Sequence, residues 1–282
     1  MNKKIILLDG AVGTSLWAKT ENKVAVWRYN LENPAIVKEL HQEYLDAGAD
    51  IIQANTFGAN RYAVQTTSYQ VSEVVSAAVR LTKEVVGDKA KVALSVGPLP
   101  VLMEPYGDVT EEEAYEIFDE QISAGVAEGP DIIVLETFMD LAMMQVALRA
   151  ASRHGLPILS MMAFTEVGKT MMGNSVEDFV DGVKEFPLAG IGLNCSCGPD
   201  VELPVIAQFR QYTDLPLVFK PNAGKPITDE SGVTGTEYSA EIFADDCMPA
   251  LEEDILYLGG CCGSDPGYIR LLHERLSAMG LH

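Results

Sequence analysis

Three of the five cysteines in this 282-residue chain stand where they could act together. Cys195 follows Asn194 at the end of one apolar run, and Cys261 and Cys262 lie within Gly259-Gly260-Cys261-Cys262-Gly263 at the end of another. A single cysteine so placed reads as a small buried side chain. Three thiols at the ends of two runs favour a metal, and thiolates suit Zn²⁺. A structural zinc is closed by four protein ligands, whereas a catalytic zinc keeps one position open. Neighbouring side chains on a regular strand point to opposite faces, so Cys261 and Cys262 could not both turn inward from one. The flanking glycines permit the tight turn that removes this obstacle and leave room for a substrate to approach. Cys197 and Cys247 read as ordinary thiols, Cys247 packing beneath a helix start.

Such a cluster needs strands to deliver it. Short apolar runs, each followed by a helical pattern, recur along the chain: Lys4–Asp9, Asp50–Asn55, Lys91–Gly97, Asp131–Thr137, Pro157–Phe164, Gly190–Cys195, Leu217–Asn222 and Ile255–Gly260. Most are continuous rather than alternating, as expected of parallel strands covered on both faces. Between them lie helical segments such as Pro34–Ala47, Ser72–Val86, Glu111–Glu128 and Leu141–His154, and Pro266–Met279 supplies a last helix. Pro34 suits a first helical turn and Gly48 a stop. Thr110-Glu111-Glu112-Glu113 reads as a capping box. Eight strand–helix units in about 280 residues predict α/β class, a single (β/α)8 TIM barrel spanning residues 1–282. The competing doubly wound sheet usually carries a Gly-rich phosphate loop after its first strand, and Asp9-Gly10-Ala11-Val12-Gly13-Thr14 lacks the full set of glycines.

Barrel enzymes work at the C-terminal ends of their strands. This chain places there Asp9, Asn55-Thr56, Gly97-Pro98, Glu136-Thr137, Phe164, Asn194-Cys195, Asn222 and Cys261-Cys262. Strands six and eight would lie about 10 Å apart at the backbone, two strand spacings. Inward side chains and metal–sulfur bonds of about 2.3 Å span that gap.

Composition narrows the partners. With 41 acidic and 20 basic residues the formal charge is −21, which argues against nucleic acid and anionic membrane surfaces. No run approaches the roughly 20 apolar residues of a membrane span. The opening Lys3-Lys4-Ile5-Ile6-Leu7-Leu8-Asp9 is too short in its apolar part for a secretion signal. Unpaired thiols then fit a reducing, cytoplasmic setting. The four histidines, His41, His154, His273 and His282, fall in helical segments or at the end of the chain and read as surface residues, and none sits in an Asp-x-His-x-x-Gly cobalamin-ligating motif.

The combination of Asn194-Cys195, Pro221-Asn222-Ala223-Gly224 and Gly259-Gly260-Cys261-Cys262-Gly263, with Leu8-Asp9-Gly10-Ala11-Val12-Gly13-Thr14 and the stretch from Gly48 to Arg61, resembles the zinc-dependent homocysteine S-methyltransferase family. Within it the motifs are most similar to the homocysteine-binding barrel of cobalamin-dependent methionine synthase. The resemblance implies zinc on Cys195, Cys261 and Cys262 and methyl transfer to a thiol, with homocysteine becoming methionine. It also implies that Glu136 and Asp9 receive the amino-acid end of homocysteine, Glu136 facing its ammonium, and that Asn222 orients ligands near the metal. Ser95 and Gly97 would offer a hydroxyl and an amide to the substrate carboxylate. The methyl donor is expected to be methylcobalamin on a separate corrinoid protein, or a small molecule such as betaine, S-methylmethionine or a methylfolate. One position departs: Ala54 stands where the family pattern has threonine, which leaves open a related thiol as acceptor. A zinc hydrolase, which usually uses His and carboxylate ligands, and a non-catalytic zinc-binding module are the remaining readings.

Overall fold

The computed structural model describes residues 4–229 and 232–282. Eight short runs of buried aliphatic residues form one parallel sheet. They are β1 (Ile6–Leu7), β2 (Ile51–Ala54), β3 (Lys91–Val96), β4 (Ile132–Phe138), β5 (Ile158–Met162), β6 (Leu188–Asn194), β7 (Leu217–Lys220) and, after a hairpin, β10 (Ile255–Leu258). Their order is β1-β10-β7-β6-β5-β4-β3-β2, every pairing parallel. The two ends of that order meet through a single bridge between Leu8 and Ile51, so the sheet is a nearly closed barrel. Asp50 N donates to Leu7 O at 2.8 Å and Asp9 N to Ile51 O at 3.2 Å across this seam.

Each strand is followed by a helix that packs on the outside: Pro34–Asp46, Val71–Val86, Glu111–Val126, Leu141–Ser152, Val176–Val183, Pro199–Phe209, Ala240–Cys247 and Pro266–Ala278. The local signals act as read. Pro34 opens its helix, and Gly48, at φ 98°, takes the left-handed position just past the end. Thr110 and Glu113 form the reciprocal capping box.

The apolar side chains divide into two cores. The larger lies between sheet and helices. The smaller, which includes Leu8, Ile51, Ala93, Val134, Met161 and Val218, fills the barrel interior. Two residues further along the same strands the inward positions change character, to Gln53, Ser95, Glu136 and Lys220, all buried. The barrel is thus apolar below and polar toward the C-terminal ends of its strands.

Some expectations need correcting. β7 stops at Lys220 rather than Asn222, since Pro221 has no N–H for a ladder, and β10 stops at Leu258 rather than Gly260, although Gly259 N and Gly260 N still donate to Phe219 O and Asp9 O. An antiparallel hairpin, β8 (Pro226–Asp229) with β9 (Gly232–Thr236), follows β7 and has no counterpart in the strand–helix pattern. Cys247 ends the helix Ala240–Cys247 and, as expected, lies buried at a helix start, where it is the residue before the short 3-10 helix Met248–Glu253. His41 is buried, not at the surface. With Val37, Leu40 and Tyr44 it lies on the inward stripe of Pro34–Asp46, its Nε2 3.2 Å from Thr82 Oγ1, and burial pushes its pKa down to about 4. Among the described residues no helix is long and apolar enough to cross a membrane.

Candidate active site

The three expected thiols converge. Sγ of Cys195, Cys261 and Cys262 all lie within 4.8 Å of one another, and Cys195 and Cys262 are 3.9 Å apart. Among the described residues this is the one such group of potential metal ligands, and neither Cys197 nor Cys247 joins it.

Local backbone geometry makes the convergence possible. Past the end of β6, Cys195 (φ 58°) and Ser196 (φ 118°) adopt positive φ without being glycine, an arrangement that costs of order 1 kcal/mol or more per residue. Asn194, at the end of β6, ties the end of β4, two strands away, to the cluster. Its Oδ1 accepts from Thr137 N at 2.7 Å, while its Nδ2 donates to Thr137 Oγ1 at 2.8 Å and reaches Cys261 Sγ at 3.6 Å. Cys261 is pinned through its backbone, N donating to Pro221 O at 2.7 Å and O accepting from Ser264 Oγ at 2.7 Å. Gly263, at φ 85°, completes the turn. The donor set is all sulfur and lies at the open end of a barrel, so it fits a soft, thiophilic divalent metal with a free coordination position. The thiols also share protons unequally. Hydrogen bonds from Cys195 and Cys261 pull the Cys262 thiol below the ordinary range, and Cys195, bonded to both others, is pushed up.

Beside the thiols opens a cavity of about 340 Å³. Its walls include Ala11, Val12, Trp17, Val26, Ala54 and Phe57, and its polar side is made by Gln53, Ser95, Glu136 and Lys220. Glu136 Oε1 accepts from Ser95 Oγ at 2.5 Å and from Gln53 Nε2 at 2.6 Å. Asp9, fully buried behind them, accepts from Gln53 N at Oδ2 at 2.7 Å. Lys220 Nζ donates to Gln53 Oε1 and pairs with Asp9 Oδ1 at 3.3 Å and Glu136 Oε2 at 3.9 Å.

Burial dominates the charges here but does not act alone. Loss of hydration lifts Asp9 to about 6, against the pull of Lys220 and the Gln53 N–H. Burial likewise raises Glu136. For Lys220 burial favours the neutral amine, yet the carboxylates of Asp9 and Glu136 outweigh it and the pKa rises to about 12. The ammonium is therefore held as an ion.

The remaining expected residues lie further back. Asn222 follows β7, its N donating to Cys197 O at 2.9 Å and its Oδ1 buried with no hydrogen-bond partner; it does not line the cavity. Gly97 packs under Phe57, where a Cβ would come within 2.3 Å of the ring. Lys220, Gln53 and Glu202 went unread. Glu202, also buried, accepts from Cys197 N at 3.0 Å and braces the cysteine turn. The signal for Lys220 and Gln53 was the period of two: each follows an inward apolar residue, Val218 or Ile51, by two positions.

A (β/α)8 barrel with three thiols meeting at the C-terminal ends of β6 and β10, next to a cavity with a charged floor, defines the class. The family description "Homocysteine S-methyltransferase" matches residues 6–276, and the chain belongs to that family. It is 27% identical over 300 residues to methionine synthase of Mycobacterium tuberculosis (strain ATCC 25618 / H37Rv), covering 96% of this chain and 24% of that protein. The chain thus spans about a quarter of that relative's length. In fold it is similar to the homocysteine methyltransferase MmuM of Escherichia coli. The metallated form superposes with a TM-score of 0.82 at 20% identity, covering 97% of this chain and 96% of that one. The apo form gives 0.76 at 21% identity with the same coverage.

Proposed function

We propose that this protein is a zinc-dependent S-methyltransferase acting on homocysteine, with methionine as product, or on a related short thiol. The observation that carries the reading is the meeting of Cys195, Cys261 and Cys262 beside an open cavity, in a chain of this family. Family membership supports homocysteine, and the metallated form of MmuM supports a metal. The all-thiolate donor set supports zinc in particular.

Cys195, Cys261 and Cys262 would hold the ion. Bound zinc supplies a way to keep a substrate sulfur deprotonated at neutral pH, where a free thiol of pKa near 8.5 is only a few per cent thiolate. Asn194 fixes the direction of Cys261 through its hydrogen bond to the sulfur. Cys262, the most exposed of the three, faces the mouth from which acceptor and donor enter. Trp17 and Phe57 at the cavity wall limit water around the thiol. Glu136, Ser95 and Gln53 set the polar floor on which the far end of the acceptor rests, with Asp9 positioning Gln53 from behind, Gly97 leaving room for Phe57 at the wall, and Asn222 standing behind the cysteine turn. The methyl group comes from a corrinoid carried on a separate protein or from a small methyl donor. Three thiols kept reduced support a cytoplasmic setting, and the eight-stranded parallel sheet supports reading the chain as one barrel domain.

The test is anaerobic and uses zinc-loaded protein with homocysteine and methylcobalamin. Methionine formation that disappears in Cys261→Ser supports the reading. Zinc-edge X-ray absorption on the same sample should show three sulfurs before homocysteine and four after. Zinc that binds tightly with no added sulfur from any short thiol would leave a non-catalytic zinc-binding module in its place.

A further inference from the structure

The two oxygens of the Glu136 carboxylate are treated differently by their surroundings. Oε1 takes two hydrogen bonds, from Ser95 Oγ at 2.5 Å and from Gln53 Nε2 at 2.6 Å. Among the described residues Oε2 takes none, and Lys220 Nζ stands 3.9 Å from it, beyond hydrogen-bonding distance. Nor is Oε2 sealed off. Asp9 Oδ1 is buried without a hydrogen-bond partner, whereas Glu136 lines the cavity and its Oε2 is not closed in that way. One oxygen is anchored, and the other is left for a ligand.

The anchor depends on an amide that has one allowed orientation. Lys220 Nζ donates to Gln53 Oε1, and Gln53 Nε2 donates to Glu136 Oε1. An ammonium offers only donors and a carboxylate only acceptors. The amide between them must therefore turn its oxygen to the lysine and its NH2 to the glutamate, since the reverse would set donor against donor and acceptor against acceptor. The rest of Gln53 is fixed as well, its backbone N donating to Asp9 Oδ2 at 2.7 Å. Lys220 is kept in place by the carboxylate of Asp9, whose Oδ1 lies 3.3 Å from Nζ. We infer that Gln53 is a positioning residue: oriented by Lys220, it locks Glu136 with Oε2 left open to the cavity as the seat for the acceptor's ammonium. This rests on the thiol-methylation reading and deepens it, because it says how the far end of the acceptor is recognised. Gln53 acts on the acceptor through Glu136, and a change at Gln53 is felt by an acceptor that carries an ammonium and not by one that lacks it.

The probes are homocysteine and 4-mercaptobutanoate, which share a thiol, a chain length and a carboxylate and differ in the α-ammonium alone. Each is titrated anaerobically into protein loaded with Co(II) in place of zinc, and its dissociation constant is read from thiolate-to-cobalt charge-transfer absorbance, which needs no methyl donor. Gln53→Met keeps the length of the side chain and the backbone N–H to Asp9 but removes both amide links. It should weaken homocysteine by about tenfold, the worth of one hydrogen bond to a charged group, and leave 4-mercaptobutanoate within about threefold. Because that variant could fail to fold, Gln53→Glu is measured as well. It can still accept from Lys220 and loses only the donation to Glu136, so the same selective loss is expected. In Glu136→Gln the preference for homocysteine should be gone, and adding Gln53→Met to it should change homocysteine by no more than about threefold. Three results would each overturn the inference and leave thiol methylation standing. They are a preference for homocysteine of threefold or less in the unaltered protein, a loss in the Gln53 variants that is under threefold or equal for both thiols, and a loss on Gln53→Met above threefold in the Glu136→Gln background. Spectra that respond to neither thiol would overturn the thiol-acceptor reading and this inference together.

Discussion

The lower and upper halves of the barrel interior are built on the same strands and obey opposite rules. Ile51, Ala93, Val134 and Val218 make a layer that needs nothing but good packing. Two residues on, Gln53, Ser95, Glu136 and Lys220 make a layer in which every group depends on its neighbours. The apolar layer tolerates a change in proportion to the volume removed. The polar layer does not, because deleting one partner leaves a buried charge or hydrogen-bonding group unmatched. The strands thus supply rigidity in one turn of the pleat and chemistry in the next.

The largest effect should come from the thiols that crown the upper half. Cys195→Ser, Cys261→Ser or Cys262→Ser is expected to bring bound zinc from one per chain to near zero and methyl transfer to background, as checked by metal analysis and methionine assay on one preparation. A serine variant that retains full metal and activity would remove that residue from the ligand set.

Next comes the charge cluster. Lys220→Met leaves Asp9 and Glu136 buried without their cation and should cost about 3–5 kcal/mol in urea unfolding. Met161→Ala, in the apolar layer, should cost about 2–5 kcal/mol by creating a cavity. The two stabilities can therefore coincide, and what separates the layers is pH. Asp9 has a folded pKa of about 6 against an ordinary value of 3.8. The folded state holds that proton more tightly, so the contribution is fully present below pH 3.8 and is lost as pH rises through 6. Linkage sets it at about 3 kcal/mol. Asp9→Asn should remove that share of the slope between pH 4 and 7, whereas Met161→Ala should keep the slope of the unaltered protein. An unchanged slope in Asp9→Asn would show that Asp9 does not titrate in that range.

The smallest effect lies outside both layers. Arg80 pairs with Glu128 at 2.6 Å on the surface, where the arginine side chain is 67% exposed. Arg80→Ala should change stability by less than about 1 kcal/mol. A larger loss would mean that the helix layer, rather than the barrel interior, limits stability.

How far each layer was legible follows from the same contrast. The apolar runs announced eight strands, and the glycines and cysteines at their ends announced the thiol cluster, because both signals are local in sequence. Thr110 and Pro34 marked helix starts for the same reason. Lys220 was not legible as an interior group. It ends an apolar run just before Pro221, where a lysine ordinarily reaches solvent, and partners distant in sequence, Gln53, Asp9 and Glu136, hold it inside. Gln53 sat in plain view within a recognised motif, but its role depends on partners 44, 83 and 167 residues away. His41 misled in the same manner, since its stripe of neighbours outweighs the usual exposure of histidine.

The seam between β1 and β2 carries one further meaning. The sheet order leaves these two strands at its ends, joined through the Leu8–Ile51 bridge. Across that join the Asp9 carboxylate takes the Gln53 N–H at 2.7 Å, and Lys220 reaches both residues from the far wall. The polar floor of the cavity is therefore also the clasp of the hoop. A lineage that retuned this pocket for another thiol could not edit the clasp freely, because each exchange there would have to find a new way to keep the ring shut.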